Sequence, residues 1–151
     1  RIMAGSLGHG LPRRDLLVSR QHRMLVSSRI TRRVLQETEV LVAAVKLTGL
    51  PGIFVDETVS EVTYFHLLFD RHEIVYAEGA PTESLYPGPD ALKSVTPEAR
   101  KEILTIFPEI ADMDYRLQPA RPIPTGKEQR LLVARHLKNG RSLLGAKPAQ
   151  R

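Results

Sequence analysis

Short apolar runs separated by polar corners fill the first third of the chain. Residues 15–18 and 23–26 flank the polar corner 19–22, a pattern that predicts two short strands around a tight turn. Residues 28–36 predict a helical turn with apolar positions on one side, and residues 39–47 predict a strand leading into a short helix. This part of the chain therefore predicts small elements that must share a core.

The centre of the chain, residues 62–77, is rich in β-branched and aromatic side chains. This composition predicts one long strand, or two strands broken near Asp70-Arg71. Alternation along a regular strand would place His66, Asp70 and His72 on one face, and a bulge would break that register.

The last third changes to helical signals. Thr96-Pro97 is a helix start, with Thr as N-cap and Pro at the first helical position. Residues 126–137 predict a second helix, which Asn139-Gly140 ends. The tail beyond Gly140 is polar and basic, and we expect it to be frayed.

These elements predict a mainly β fold with a C-terminal α-helical appendage. The β-region covers residues 1–88, the appendage that shares its core covers 89–140, and a flexible basic tail covers 141–151. Aromatic residues make up only 5% of the 151 residues, so the core must rely on Leu, Ile and Val. No apolar run approaches the roughly 20 residues of a membrane span.

The net charge of +5 comes largely from basic residues near both ends of the chain. These residues lack interleaved aromatics and any recognisable binding motif, which favours a solvated surface, so no nucleic-acid partner is expected. The absence of cysteine excludes disulfides, thiolate metal sites and cysteine nucleophiles within this sequence.

Histidines are the main candidates for chemistry. His22 ends the polar corner that Ser19 begins, so the turn can aim an imidazole and a hydroxyl at one point. The plain alternative is a surface turn. We expect His9, between glycines, and His136, on a basic helix, to be exposed and without a role.

His66, Asp70 and His72 allow three readings. Two imidazoles and a carboxylate are common zinc ligands, which would make the protein a metal-dependent hydrolase. An Asp-oriented histidine could instead act as acid or base, or Asp70-Arg71 could simply form a hairpin turn. No metalloprotease helix, phosphate-binding loop, nucleophile elbow or dinucleotide-binding motif is present, so no cofactor or bound metal is expected.

Three stretches carry a family resemblance: RRDLLVSRQHRMLV, VTYFHLLFDRHEIVYAEGAPTESLYPG and FPEIAD. The first resembles the second conserved block of Hint (hedgehog/intein) domains, a Thr-x-x-His with apolar flanks. The second resembles the penultimate and last intein blocks. Residues 1–137 as a whole are similar to bacterial Hint-type domains at the ends of large secreted proteins.

The resemblance implies an autoprocessing β-fold in which a cysteine at the first position converts the preceding peptide bond to a thioester. By position, Ser19 matches the second-block threonine and His22 its histidine, which together activate that bond. His72 matches a histidine that assists later steps, and His66 falls near a site where inteins carry an acid. Glu83 and Ser84 stand where inteins carry His-Asn, so Asn cyclisation is not expected.

With no cysteine present, the resemblance implies a C-terminal fragment that lacks the cysteine-bearing first block. We expect the chain to need an upstream segment of the same polypeptide, to be inactive alone, and to self-associate through exposed sheet edges. Membership of a larger secreted or surface protein is the expected setting. The alternative is a non-catalytic binding module with a basic surface, tested by salt-sensitive binding.

Overall fold

A computed structural model describes residues 1–86, 92, 95–111 and 118–145 of the chain. Its sheet has four antiparallel strands in the order β2-β1-β4-β3, which are β1 (Arg23–Val26), β2 (Val40–Ala43), β3 (Ile74–Ala77) and β4 (Ala80–Glu83). Its helices are α1 (Arg29–Leu35), α2 (Ala44–Leu47), α3 (Pro97–Ile106) and α4 (Gly126–Asn139), with a 3-10 turn at Pro108–Ala111.

The sheet is confirmed, but the expected predominance of β-structure is not. Among the described residues, helical residues outnumber strand residues, because each strand spans only four residues and α4 alone spans 14. The expected boundary near residue 88 lies outside the described residues and stays a prediction. None of the described helices is long and apolar enough to cross a membrane.

The corner before β1 is anchored on the start of α2. Ala43 caps α2 without a side-chain hydrogen bond. Instead, the carbonyl oxygens of Arg20 and His22 accept hydrogen bonds from Val45 and Ala44, at 3.0 and 2.8 Å. Backbone N–H groups at a helix start need such partners, so the corner and the helix fix each other.

A hairpin replaces the long strand expected over residues 62–77. Only Ile74–Ala77 forms a strand, and the chain reverses at Glu78-Gly79. Both turn residues have positive φ, 49° and 79°, as a two-residue type I′ turn requires. The expectation of a long strand is therefore wrong, because residues 62–73 form no strand, the chain bends at Asp70 and Arg71, and the hairpin turn lies further on at Glu78-Gly79.

Pro81 occupies an inner strand, where a residue without an N–H is unusual. Ser84 N–H donates to the Glu73 carbonyl, so these two residues form a hydrogen-bonded pair of the hairpin. Such pairs alternate with non-hydrogen-bonded pairs along an antiparallel ladder. By this alternation Tyr76 and Pro81 form a non-hydrogen-bonded pair. The nitrogen of Pro81 therefore faces β1. Strands β1 and β4 share only the register pair Met24 and Thr82, so their ladder tolerates the missing donor.

The core joins the sheet to α4. Helix α4 begins with a capping box at Thr125 and Glu128 and ends at Gly140 in the left-handed conformation. Leu132 and Val133 on its inner face belong to the same buried cluster as the side chains of β1 and β2. Burial of this stripe holds the helix against the sheet.

The end of α4 and the segment after it differ from two expectations. Leu143 and Leu144 are buried, the Leu143 carbonyl accepts from Ser27 N–H, and Leu144 N–H donates to the Leu7 carbonyl, so the expected fraying is wrong for residues 141–145. The rest of the expected tail, residues 146–151, lies outside the described residues. His136 is 1% exposed rather than solvated, and its Nε2 lies 3.1 Å from Ser28 Oγ. Both errors arise because apolar surface in β1 and α1 is covered by residues far along the chain.

The buried end segment generates a stability prediction. Leu143→Ala should lower the free energy of unfolding by about 2–5 kcal/mol, because it leaves a cavity at a side chain that is 2% exposed. Leu137→Ala, at a leucine 55% exposed, is the matched control and should change stability by about 0.5 kcal/mol or less. Urea denaturation of both variants measures the difference. Equal stabilities would mean that the segment does not belong to the core.

Candidate functional site

The end of β4 collects polar side chains from both halves of the sheet. The Thr82 hydroxyl donates to the Arg23 carbonyl at 2.8 Å. His22 Nε2 lies 2.5 Å from Oγ1 of the same threonine. Thr82 is buried and His22 is half-buried. A single side-chain oxygen therefore connects the polar corner to β4.

The proton count at Thr82 fixes the tautomer of His22. A threonine hydroxyl has one hydrogen, and here it is directed at the Arg23 carbonyl. His22 Nε2–H must then be the donor to the Thr82 oxygen, which leaves Nδ1 without a hydrogen. Within the described part of the chain, no group donates a hydrogen bond to Nδ1. His22 thus offers a free basic nitrogen on an imidazole that is held in place.

Burial lowers the pKa of His22 below its ordinary value. The negative charge of Glu83 opposes this shift, while electrostatic interactions with His66 and Arg23 add to it. The neutral imidazole is therefore favoured at neutral pH, as a proton acceptor requires.

Glu83, beside Thr82, is a buried carboxylate with cationic and backbone partners. Its Oε1 accepts from Arg23 N–H at 2.8 Å, and the Arg23 guanidinium lies 3.0 Å from Oε2. Burial would raise the pKa of Glu83, but His72 and Arg23 outweigh it and hold the pKa below its usual value. The carboxylate stays ionised at the centre of the cluster.

His72 is buried on the opposite side of Glu83. Its Nδ1 accepts from Ala120 N–H at 3.1 Å, so the ring hydrogen is on Nε2, which faces Glu83 Oε2 at 3.3 Å. That contact lacks hydrogen-bond geometry, so the Nε2–H of the imidazole faces the carboxylate without a hydrogen bond. The imidazole also packs against the Tyr86 ring, with centroids 4.8 Å apart. Thr82 and Glu83 together thus place His22 and His72 around one strand end.

Three sequence candidates lie outside this cluster. Ser19 is exposed and lines a cavity of about 220 Å³, and no side-chain hydrogen bond joins it to His22. His66 is exposed, and its effect on the pKa of His22 puts it in the same neighbourhood without direct contact. Asp70 is exposed at a bend and makes no hydrogen bond or ion pair with any described residue.

The residues 1–86, 92, 95–111 and 118–145 contain no group of three or more histidine, aspartate or glutamate side chains that could hold a metal ion. His66 and Asp70 are exposed whereas His72 is buried, so they do not share a face. The regular strand that would have brought them together is not formed.

Sequence reasoning missed Thr82 and Arg23 as site residues. Both depend on pairing between positions about 60 apart in the chain, which no local pattern encodes. Pro81 further hides β4, because a proline argues against an inner strand. The available signal was the adjacency of Thr82 to Glu83, which already lay in the stretch of family resemblance.

A family model described as Hint domain matches residues 1–89, more than half of the chain. The chain belongs to the Hint domain family. No curated protein and no solved structure matched it. The matched Hint range contains every side chain of the cluster, from His22 and Arg23 to His72, Thr82 and Glu83, and only the backbone donor Ala120 lies beyond it.

The buried carboxylate of Glu83, which faces Arg23 and His72, generates a second prediction for this Hint domain. Glu83→Gln should lower the free energy of unfolding by about 2 kcal/mol, because it removes the charge that faces Arg23 and His72. Glu78→Gln, which breaks the solvent-exposed pair with Arg14, is the matched control and should leave stability nearly unchanged. Denaturant titrations compare the two, and equal effects would contradict a stabilising role for the buried carboxylate.

Proposed function

We propose that this Hint domain serves self-cleavage in a longer polypeptide, with His22 as the residue that activates the scissile peptide bond. The attacking cysteine belongs to a segment upstream of this sequence, which itself contains none. Cleavage falls before that cysteine, and the chain alone is inactive. The observation that carries the proposal is the free, basic Nδ1 of His22, set by the hydrogen bond of Nε2 to Thr82.

The reaction is an N-to-S acyl shift. The cysteine sulfur attacks the carbonyl carbon before it, the C–N bond breaks, and a thioester C–S bond forms. The thiol loses one proton and the leaving nitrogen gains one. A neutral imidazole can accept the first and return the second, which is general acid–base catalysis with one group. The lowered pKa of His22 supports this role, because its proton is readily released.

The upstream segment would cover an apolar surface beside the corner. Several large apolar side chains there are 38% to 89% exposed, namely Leu17, Phe54, Val55, Tyr64, Phe65, Leu67 and Phe69. The cavity that Ser19 lines has mainly apolar walls, and four of these exposed side chains line it: Leu17, Phe54, Val55 and Tyr64. An exposed apolar patch of this kind is typical of an interaction site. Without the segment, we expect the chain to self-associate through it and through the free edge of β3.

The other candidates take secondary roles. Ser19, as the counterpart of the family threonine, supplies a hydroxyl near the entering segment. His72 assists the later step through Glu83, which its Nε2 faces at 3.3 Å. His66 tunes His22 by charge. Asp70, exposed and without partners among the described residues, carries the weakest support.

In the longer polypeptide, His22→Ala should abolish cleavage upstream of the domain, because no other described base lies at the end of β4 with a free nitrogen. Electrophoresis of the expressed protein over time measures the uncleaved fraction. His9→Ala, at an exposed histidine in a loop, is the matched control and should cleave normally. Cleavage that persists in His22→Ala, or an upstream sequence without cysteine, would overturn the proposal.

Variants of Thr82 distinguish a role of its hydroxyl in positioning His22 from a role in folding alone. Thr82→Val removes the oxygen that holds His22 and should slow cleavage at least about tenfold, whereas Thr82→Ser keeps the oxygen and should restore most of the rate. Thr63→Val, at an exposed threonine, controls for the lost hydroxyl. Thermal denaturation confirms that each variant folds. Equal rates for Thr82→Val and Thr82→Ser would exclude a role for the hydroxyl.

A further inference from the structure

The outer face of α4 carries cations and leucines but almost no acidic groups. Gln129, Leu132, Val133 and His136 face the core at helical spacing, so the opposite face points to solvent. The solvent-facing side chains are Lys127, Glu128, Arg130, Leu131, Ala134, Arg135, Leu137, Lys138 and Asn139. Leu131 and Leu137 are 46% and 55% exposed. We call this face together with the exposed arginines of α1, namely Arg29, Arg32 and Arg33, the cationic surface.

Helix α1 packs against α4, and a side-chain contact links the N-cap of α1 to α4. Ser28 Oγ lies 3.1 Å from His136 Nε2, and His136 Nδ1 lies 3.0 Å from the Arg141 carbonyl. Arg29 follows Ser28 and Arg135 precedes His136, so exposed cations from both helices surround this contact. The core holds both helices, so the arrangement of charges is fixed before any partner arrives.

No acidic residue occurs in residues 16–36 or 129–145, which hold nearly all of this surface. The nearest one in the sequence of α4, Glu128, is occupied with the cap at Thr125. In the part of the chain that the structure describes, the cations of α1 and α4 form no ion pair. Seven unneutralised cations in two adjacent helices attract an anionic partner.

We propose that the cationic surface docks on an anionic lipid bilayer. Basic residues near a bilayer gain electrostatic energy from anionic headgroups, and exposed leucines between them can enter the interface. Leu131 and Leu137 provide that apolar component on the same helix face as Lys138 and Arg130. A polyanion such as DNA would neutralise the charges but would leave these leucines unused.

The absence of aromatic residues from α1 and α4 also argues against nucleic acid. Single strands bind through base stacking on aromatic rings, and neither helix has one. The bilayer proposal is independent of self-cleavage, because none of its residues belongs to the His22 cluster. It concerns where the domain is held rather than what it cleaves.

Co-sedimentation of the purified protein with vesicles tests the proposal. Vesicles of mixed phosphatidylserine and phosphatidylcholine should bind the protein, and vesicles of phosphatidylcholine alone should not. Arg135→Glu with Lys138→Glu should weaken binding about tenfold or more. Binding should also fall as salt rises from about 0.1 M to about 1 M, where screening shortens to about 3 Å.

Two further variants keep the result specific. Arg71→Glu with Lys101→Glu makes the same change in net charge at exposed positions elsewhere and should bind nearly as well as the unchanged protein. Leu131→Ser with Leu137→Ser should weaken binding severalfold while the salt dependence persists. Equal losses in the two charge variants would mean attraction by net charge alone and would overturn the proposal. Binding to duplex DNA without binding to the anionic vesicles would also overturn it.

Discussion

Strands β1 and β4 are joined by a single register pair together with side-chain bonds from Thr82 and Glu83, and the rest of the molecule depends on this join. The two strands share one register pair, and Pro81 has no N–H to extend the ladder. The Thr82 hydroxyl and the Glu83 carboxylate supplement this short ladder, because they bond the carbonyl and the N–H of Arg23. Polar groups in this interior must be paired, so the side chains complete the sheet as backbone groups do elsewhere.

These side-chain bonds place the candidate site where β1 meets β4. The Thr82 oxygen that closes the sheet is also the acceptor for His22, and the carboxylate that bonds Arg23 also faces His72. Stability and chemistry therefore share atoms. A change that loosens the join moves both imidazoles at once, whereas a change at His22 itself leaves the bonds between Arg23 and β4 intact.

Local signals predicted the helices well, and the strands and their assembly poorly. The strand expected over residues 15–18 is reduced to an isolated bridge between Leu16 and Ile2. Helix α3 begins at the Thr96-Pro97 start read from the sequence, and the helix over residues 126–139 ends at Gly140 as expected, since caps are local chemistry. The 62–77 strand failed because β-propensity measures fit to a neighbouring strand, which most of that stretch lacks. Burial of His136 could not be read either, because its partner Ser28 lies 108 residues away.

The candidate site was likewise predicted in its local part and not in its distant partners. The polar corner ending at His22 was visible because it lies between two apolar runs, and the structure gives that histidine the partner that fixes its tautomer. Ser19 was paired with it by sequence spacing, yet the turn points the two side chains to different surroundings. Which side chain of the corner is held in place depends on the partner that a distant strand provides. Here Thr82 of β4 bonds His22 and not Ser19.

The two faces of α4 show how the domain can carry two functions without conflict. Its inner face closes the core with Leu132 and Val133, which positions the sheet that holds the His22 cluster. Its outer face contributes little to stability, because exposed lysines, arginines and leucines make few contacts. Selection can therefore alter the outer charges without moving the imidazoles. The proposed bilayer contact would use this outer face, because its exposed leucines lie among cations that form no ion pair with described residues.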